Sequence, residues 1–120
     1  NPVAPGMLAR HYATRHPLKF GKMADLTVEA LKNYAPHQIA TISFQQEVPG
    51  IPDTNQFILS PNGNLTEAAR RLFSALRLAD NMNIAVILAE RFPDEGLGRA
   101  INDRLQRAAS PPKTTDLTPA

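Results

Sequence analysis

Apolar residues recur at helical spacing in three segments of the chain, and each segment predicts an amphipathic helix with one buried face. The first predicted helix covers residues 25–34 and stops before Pro36. The second begins after Asn64, a suitable N-cap, and Glu67 stands where its side chain can reach back to that cap. Its predicted buried stripe consists of Leu65, Ala68, Ala69, Leu72, Phe73, Leu76 and Ala79.

The third predicted helix covers residues 97–109. Its buried face would be formed by Leu97, Ile101, Leu105 and Ala108. Asp94 and Glu95 precede this helix, whereas Arg104 and Arg107 lie near its end. Because acids stabilise the start of a helix and bases stabilise its end, this order of charges supports the prediction.

Four short segments between the helices have the β-branched and apolar composition of strands: residues 18–20, 38–44, 57–60 and 84–89. The last is almost wholly apolar, which is typical of a central strand covered on both faces. Strands that alternate with helices predict an α/β fold with a mainly parallel sheet of about four or five strands. The short connection between the second and third strands is the one feature that does not fit this prediction.

Composition divides the chain into three parts. Residues 1–17 contain three prolines and no helical or strand period, so we expect an extended arm. Residues 18–109 form the predicted domain, and the proline- and threonine-rich residues 110–120 are expected to be disordered. The chain begins at Asn1 without a methionine, and we expect it to be part of a longer protein.

The net formal charge of +2 is too small to indicate nucleic-acid binding by itself. The charge is unevenly distributed, because residues 1–23 contain no acid. Their basic and imidazole side chains are Arg10, His11, Arg15, His16, Lys19 and Lys22. Such a segment attracts anions, but a solvated basic linker explains the same pattern, and we favour that interpretation.

The absence of cysteine excludes a disulfide framework, a thiolate zinc site and a cysteine nucleophile. The longest apolar run, residues 84–89, is far shorter than the roughly 20 residues that a membrane span needs. No secretion signal is present in this part of the protein, so we expect a cytoplasmic location and no membrane partner.

No catalytic centre or metal site is predicted from the residues themselves. Gly21 and Lys22 lack the preceding glycine and the following Ser or Thr of a phosphate-binding loop. Ser43 and Ser60 lie outside any Gly-x-Ser-x-Gly elbow. The three histidines lie outside the predicted helices, and we expect a structural or solvated role for each.

The carboxyl edge of an α/β sheet, where the predicted strands end, is the usual place for a ligand. Glu90 follows the fourth strand, and a solvated loop carboxylate is the favoured interpretation. A possible ligand pocket follows the third strand, formed by Ser60, Asn62, Gly63 and Asn64. Gly96 and Gly98 lack the third glycine of a dinucleotide fingerprint, so they predict only a tight helix start.

Two stretches resemble one known family. Residues 4–13, Ala-Pro-Gly-Met-Leu-Ala-Arg-His-Tyr-Ala, resemble the linker of the two-domain L-threonylcarbamoyladenylate synthases, where Pro-Gly-Met is followed by His-Tyr-Ala-Pro. Thr14 replaces the final proline of that motif. The segments AARRLFSALR (68–77) and GLGRAINDRL (96–105) are similar to the C-terminal domain of the same family in content and spacing. The resemblance covers most of residues 4–109.

This resemblance implies a Rossmann-like, three-layer accessory domain that is itself noncatalytic and binds no cofactor. A YrdC-like catalytic domain of the same protein would join L-threonine, bicarbonate and ATP, with Mg²⁺, into threonylcarbamoyl-AMP and release pyrophosphate. Other proteins would then transfer the threonylcarbamoyl group to tRNA in the t6A modification, so tRNA would be an indirect partner. An older description of the family is translation factor.

The linker of this family crosses the mouth of the catalytic cleft. The residues expected to act there are Pro5, Gly6, Met7, Arg10, His11 and Tyr12. They would help to close the cleft and protect the acyl-adenylate from water, in a lid or regulatory role. The alternative is that they only dock two domains together, which we favour for Pro5 and Gly6.

Two functions of other classes are also compatible with the sequence. One is a module that binds tRNA or a protein partner, with the arginines of the second and third helices as its surface if they share a face. The other is a small-molecule sensor that uses the predicted pocket near Ser60.

Overall fold

The computed structural model describes residues 13–109, which form four strands and three α-helices. In chain order these are β1 (Leu18–Gly21), α1 (Met23–Asn33), β2 (Ile39–Ser43), β3 (Gln56–Ile58), α2 (Leu65–Asp80), β4 (Val86–Glu90) and α3 (Leu97–Ala109). Single 3₁₀ turns at Pro36–Gln38 and Asp53–Asn55 precede β2 and β3. The predicted α/β class is confirmed, and element boundaries differ from the predictions by a few residues.

The four strands form one sheet in the order β1-β4-β2-β3, and all three strand pairs are parallel. Strand β4 is central: Ile87 pairs with Leu18 of β1 on one side and with Ala40 of β2 on the other. Its apolar residues are buried, as the uninterrupted apolar sequence predicted.

The helices cover both faces of the sheet, giving three layers. Helices α2 and α3 pack on one face, here called the two-helix face, where the larger apolar core includes Ile42, Leu76 and Leu105. Helix α1 covers the opposite, one-helix face, where a smaller core includes Ala30 and Leu88. The single helix leaves part of that face to the loop after β2, whose Val48 and Ile51 join the smaller core.

The connection between β2 and β3 joins parallel strands without an α-helix. The side-chain amide of Gln56 organises it, accepting from the Val48 N–H at 2.6 Å and donating to the Val48 and Ile51 carbonyls at 3.0 and 2.9 Å. The buried Asn55 amide donates to the His37 and Ile39 carbonyls, both at 3.0 Å. Gln56 thus satisfies loop backbone groups that a crossover helix would satisfy internally, and Asn55 ties the end of the loop to the start of β2.

Two residues predicted to be buried are exposed. Phe73 was placed in the apolar stripe of α2, but 58% of it is accessible, and the guanidinium groups of Arg77 and Arg104 lie over its ring at 5.3 and 5.7 Å. Leu97 was placed in the buried face of α3 and is 43% accessible. On α2, the apolar stripe that contacts the core is narrower than the sequence indicated, because the buried Leu72 and Leu76 already fill it.

The loop from β4 into α3 is a tight turn that depends on two glycines. Gly96 has a left-handed φ of 53°, and a Cβ on Gly98 would lie 1.9 Å from the Pro93 carbonyl oxygen. The buried amide of Asn102 then closes the loop, accepting from the Phe92 N–H at 2.8 Å and donating to the Phe92 carbonyl at 2.9 Å. The predicted tight helix start is therefore confirmed.

Candidate functional site

The arm is attached to the domain through one carboxylate. Asp80, at the end of α2, accepts hydrogen bonds from the backbone N–H groups of Arg15 and His16 at 2.8 and 2.9 Å. The Nδ1 atom of His16 also lies 2.9 Å from the same carboxylate. We call Arg15, His16 and Asp80 the arm anchor.

The arm anchor also stabilises the C-terminus of α2. The guanidinium group of Arg15 donates to the Asp80 carbonyl at 3.0 Å and to the Asn81 side-chain oxygen at 3.2 Å. A cation at this position is favourable because the last carbonyls of a helix carry a partial negative charge. The arm anchor therefore serves both the arm and the helix end.

The arm anchor sets the ionisation of its carboxylate. Burial at the junction raises the pKa of Asp80, but this effect is outweighed by the hydrogen bonds from the N–H groups of Arg15 and His16 and by the His16 ring. The pKa of Asp80 is therefore held below the ordinary value of an aspartate. A charged Asp80 is the form that holds the arm.

A shallow groove lies beside the arm anchor, between α2 and α3. Its volume is about 170 Å³, and the first described arm residues, Ala13 and Thr14, line it together with Phe73, Arg77 and Arg104. The groove offers the exposed Phe73 ring and two guanidinium groups. The arm thus meets the domain at a surface with aromatic and cationic character.

The predicted pocket residues Ser60 and Asn64 lie together at the start of α2, where they bond to one another and to the helix. The Ser60 hydroxyl donates to the Glu67 carboxylate at 2.6 Å and accepts from the Asn64 N–H at 2.8 Å. Asn64 caps the helix as predicted, accepting from the Glu67 N–H at 2.9 Å. The prediction that the Glu67 side chain reaches back to Asn64 is wrong in detail, because the Glu67 carboxylate accepts a hydrogen bond from the Ser60 hydroxyl instead.

The other two predicted pocket residues lie in the adjoining turn. The Gly63 N–H donates to the Ser60 carbonyl at 2.9 Å, and Gln45 packs so closely that a Cβ on Gly63 would lie 2.8 Å from its Nε2. Asn62 is exposed. Ligand binding at these four residues stays a prediction, although the polar groups of Ser60 and Asn64 already have protein partners.

The predicted cleft-closing residues fall outside the part of the chain that the structure describes. They are Pro5, Gly6, Met7, Arg10, His11 and Tyr12. Their assignment stays a prediction. The arm anchor, which sequence reasoning missed, is the nearest described feature. Asp80 gave only a helix-end signal in the sequence, and its separation of 64 positions from His16 hid their contact.

Residues 13–109 contain neither a group of metal ligands nor a phosphate-binding loop at Gly21. Within that range, no group of three His, Asp or Glu side chains is placed to hold a metal ion. Lys22, the basic residue after Gly21, forms the start of α1 rather than a phosphate loop. None of the helices in this range is long and apolar enough to cross a membrane.

Comparisons with a family model and with individual proteins point to the same family. Residues 1–110 match the family model of the threonylcarbamoyl-AMP synthase C-terminal domain. The chain is 29% identical over 111 residues to the threonylcarbamoyl-AMP synthase of Bacillus subtilis, and 30% identical over 110 residues to that of Pyrococcus abyssi. These alignments cover 90% and 88% of the chain but 32% of each relative, so the chain spans about a third of their length.

Two solved structures share the fold. A crystal structure of the P. abyssi Sua5 protein with L-threonine matches with a TM-score of 0.63 and 24% identity, over 81% of this chain and 29% of that one. The C-terminal domain of a Sua5 protein from Pyrococcus horikoshii matches with a TM-score of 0.51 and 22% identity, over 78% of this chain and 93% of that one. The second match is to a domain of similar extent solved by itself.

Proposed function

Because the chain belongs to the C-terminal domain family of the threonylcarbamoyl-AMP synthases, we propose that it is the accessory domain of a two-domain synthase and that its arm acts as a lid. The catalytic partner is a YrdC-like domain of the same protein. That domain binds ATP, Mg²⁺, L-threonine and bicarbonate and supplies threonylcarbamoyl-AMP for tRNA t6A modification in the cytoplasm. The L-threonine bound to the P. abyssi protein supports this substrate assignment.

The observation that carries the lid proposal is the arm anchor. Asp80 fixes the backbone of Arg15 and His16, so the arm is attached to the domain at a defined point. A tether fixed at one end lowers the conformational entropy that must be lost when the arm closes over a cleft. Closure then excludes water from an acyl-adenylate that water would hydrolyse.

The first test is pyrophosphate release from ATP that depends on L-threonine and bicarbonate. The intact parent protein is compared with a version that ends before Asn1. Activity that collapses on truncation supports a domain that completes the catalytic cleft. Equal activity in both versions would contradict the lid proposal, and no activity in either would contradict the assignment of the reaction.

A variant of the parent protein isolates the arm anchor from the rest of the domain. Asp80→Ala frees the arm but keeps the domain in place, so we expect less threonylcarbamoyl-AMP per ATP consumed, because the intermediate is hydrolysed in a poorly closed cleft. Asp94→Ala is the matched control, since Asp94 is an exposed acid that forms an ion pair with Arg99 at 3.5 Å. Equal product yields in the two variants would argue that the arm anchor only stabilises the domain.

A second candidate, tRNA binding by the domain itself, has one supporting observation. Arg77 and Arg104 share a surface around Phe73, as a cationic and aromatic nucleic-acid site would require. Arg71, Arg99 and Arg107 lie 3.0, 3.5 and 3.2 Å from acids of the domain. Tight tRNA binding by the chain that weakens steeply with salt would favour this candidate over the lid.

A further inference from the structure

A cavity of about 270 Å³ lies at the carboxyl edge of the sheet, on the one-helix face. Its floor contains Ser43 and Glu90, the last residues of the neighbouring strands β2 and β4. The pairing of Ile42 with Ala89 puts these two residues side by side, and their side chains point to the same face because direction alternates along each strand. The first turn of α1 and the loop after β2 form the walls.

The cavity lies beside the point where the chain changes sides of the sheet, and shares Glu90 and the start of α1 with it. Strands β1 and β4 are neighbours, but α1, which follows β1, covers the one-helix face, whereas α3, which follows β4, packs on the two-helix face. Helices that diverge from adjacent parallel strands leave a crevice at the strand ends. In open α/β sheets this crevice is the usual place for a ligand.

Ser43 carries an unused hydroxyl group at this position. Its residue is 1% accessible, and its Oγ has no hydrogen-bond partner within residues 13–109. Buried hydroxyl groups are nearly always paired, because leaving one without a partner costs stability. Ser43 lines the cavity, so a bound molecule can provide the missing partner.

Glu90 brings a negative charge to the cavity in a fixed position. The Phe44 N–H donates to its Oε1 at 2.8 Å, which orients the carboxylate. Glu47 also lines the cavity, whereas no lysine or arginine of residues 13–109 does so. This half of the cavity therefore favours a group that is cationic and donates hydrogen bonds, such as an ammonium group.

The start of α1 favours a negatively charged group instead. Lys22 precedes the helix and provides no side-chain cap, and Met23 and Ala24, the first helical residues, line the cavity. The N–H groups of a first helical turn have no partner within the helix and carry a partial positive charge. This wall favours a carboxylate or a similar anion.

We propose that the cavity binds a free α-amino acid. The ammonium group would lie on Glu90, and the carboxylate would accept from the first N–H groups of α1 and from the Ser43 hydroxyl. A cavity of about 270 Å³ falls just below the range of roughly 300–1,000 Å³ for drug-sized ligands, so it suits a small metabolite. The domain thereby gains a sensing site that is separate from the arm anchor.

The test uses the 120-residue chain, labelled with ¹⁵N, and a panel of L-amino acids that includes L-threonine. We expect at least one of them to shift the amide signals of Met23, Ala24 and Ser43 in a saturable manner. The matched probes are the N-acetyl derivative and the amide of the same amino acid. Each lacks one of the two charges and should bind at least about tenfold more weakly.

Two variants examine the proposed contacts. Glu90→Gln keeps an acceptor for the Phe44 N–H but removes the charge, and should weaken binding by about tenfold. Ser43→Ala should weaken it by a few-fold, while Ser74→Ala, on the exposed side of α2, should leave it unchanged. Thermal unfolding of each variant confirms that it is folded.

Three outcomes would overturn the proposal. The first is that no amino acid of the panel shifts the signals of the cavity. The second is that the shifts occur only around Phe73 and Arg104, at the other groove. The third is that folded Glu90→Gln binds the amino acid as tightly as the original chain.

Discussion

The Nδ1 atom of His16 lies 2.9 Å from Oδ1 of Asp80, and the N–H of the same histidine donates to the same oxygen at 2.9 Å. One carboxylate oxygen thus holds both the backbone and the ring of the arm residue. Asp80 has 16% of its side chain accessible, so this contact is partly shielded from water. Arg15 and His16 of the arm are therefore fixed to the folded domain.

Asp80→Ala removes the acceptor that holds the arm. We expect the N–H groups of Arg15 and His16 to lose protection from hydrogen exchange, and the free energy of unfolding to fall by about 1–3 kcal/mol. Exchange measured by NMR and urea unfolding check the two effects. In Asp94→Ala, the exposed-acid control, both quantities should stay near their original values. Unchanged exchange at Arg15 and His16 in Asp80→Ala would show that the arm is held by other contacts.

Arm docking should be sensitive to acid. The lowered pKa of Asp80 means that its charge stabilises the folded state in full above about pH 4, and that this contribution is lost as the pH falls further toward the lowered pKa. Asp80→Asn removes this contribution. The free energy of unfolding should therefore fall less between pH 5 and pH 3 in the variant than in the original chain. Parallel pH dependence of the two proteins would contradict the prediction.

Gly98→Ala should destabilise the domain because its Cβ would lie 1.9 Å from the Pro93 carbonyl oxygen, a backbone atom. The loop must shift, and we expect a loss of about 1–3 kcal/mol. The matched control is Gly96→Ala, where the left-handed φ costs about 1 kcal/mol but the space around the Cβ is open. Urea unfolding of both variants gives the comparison, and a larger loss at Gly96 would contradict the steric argument.

Asn102→Ala leaves the N–H and carbonyl groups of Phe92 without their partner in a buried loop. We expect a loss of about 2–4 kcal/mol in the free energy of unfolding. Asp103→Ala tests a neighbouring exposed position on the same helix, where a change within about 0.5 kcal/mol is expected. Similar losses in the two variants would show that the Asn102 amide contributes no more to stability than an exposed side chain does.

Leu72 and Phe73 are neighbours with opposite surroundings. Leu72 is 6% accessible, so Leu72→Ala should cost about 2–5 kcal/mol, whereas Phe73→Ala should cost less than about 1 kcal/mol. Chemical denaturation of the two variants decides the point. A loss at Phe73 as large as that at Leu72 would restore it to the core, where the sequence pattern had placed it.

Much of the fold was predictable because its signals are local. The apolar run before Glu90 indicated a central strand, and Asn64 indicated the start of α2. The resemblance of the linker and of the arginine-rich segment pointed to the family that the comparison supports. The predicted pocket at Ser60 was less informative, because a hydroxyl that follows a strand has the same sequence signal whether it binds a ligand or a helix end.

Hydrophobic period, capping residues and turn glycines therefore determine the α/β class, the helices and most strands of this protein, because each acts over a few neighbouring residues. The contact of Asp80 with His16, and the meeting of Ser43, Glu90 and the start of α1, depend on which strands become neighbours. Strand order is a property of the packed sheet, in which long-range contacts join residues that have no pattern in common along the chain. For that reason the elements could be located from the residues alone, while both candidate sites emerged from the assembled sheet and helices.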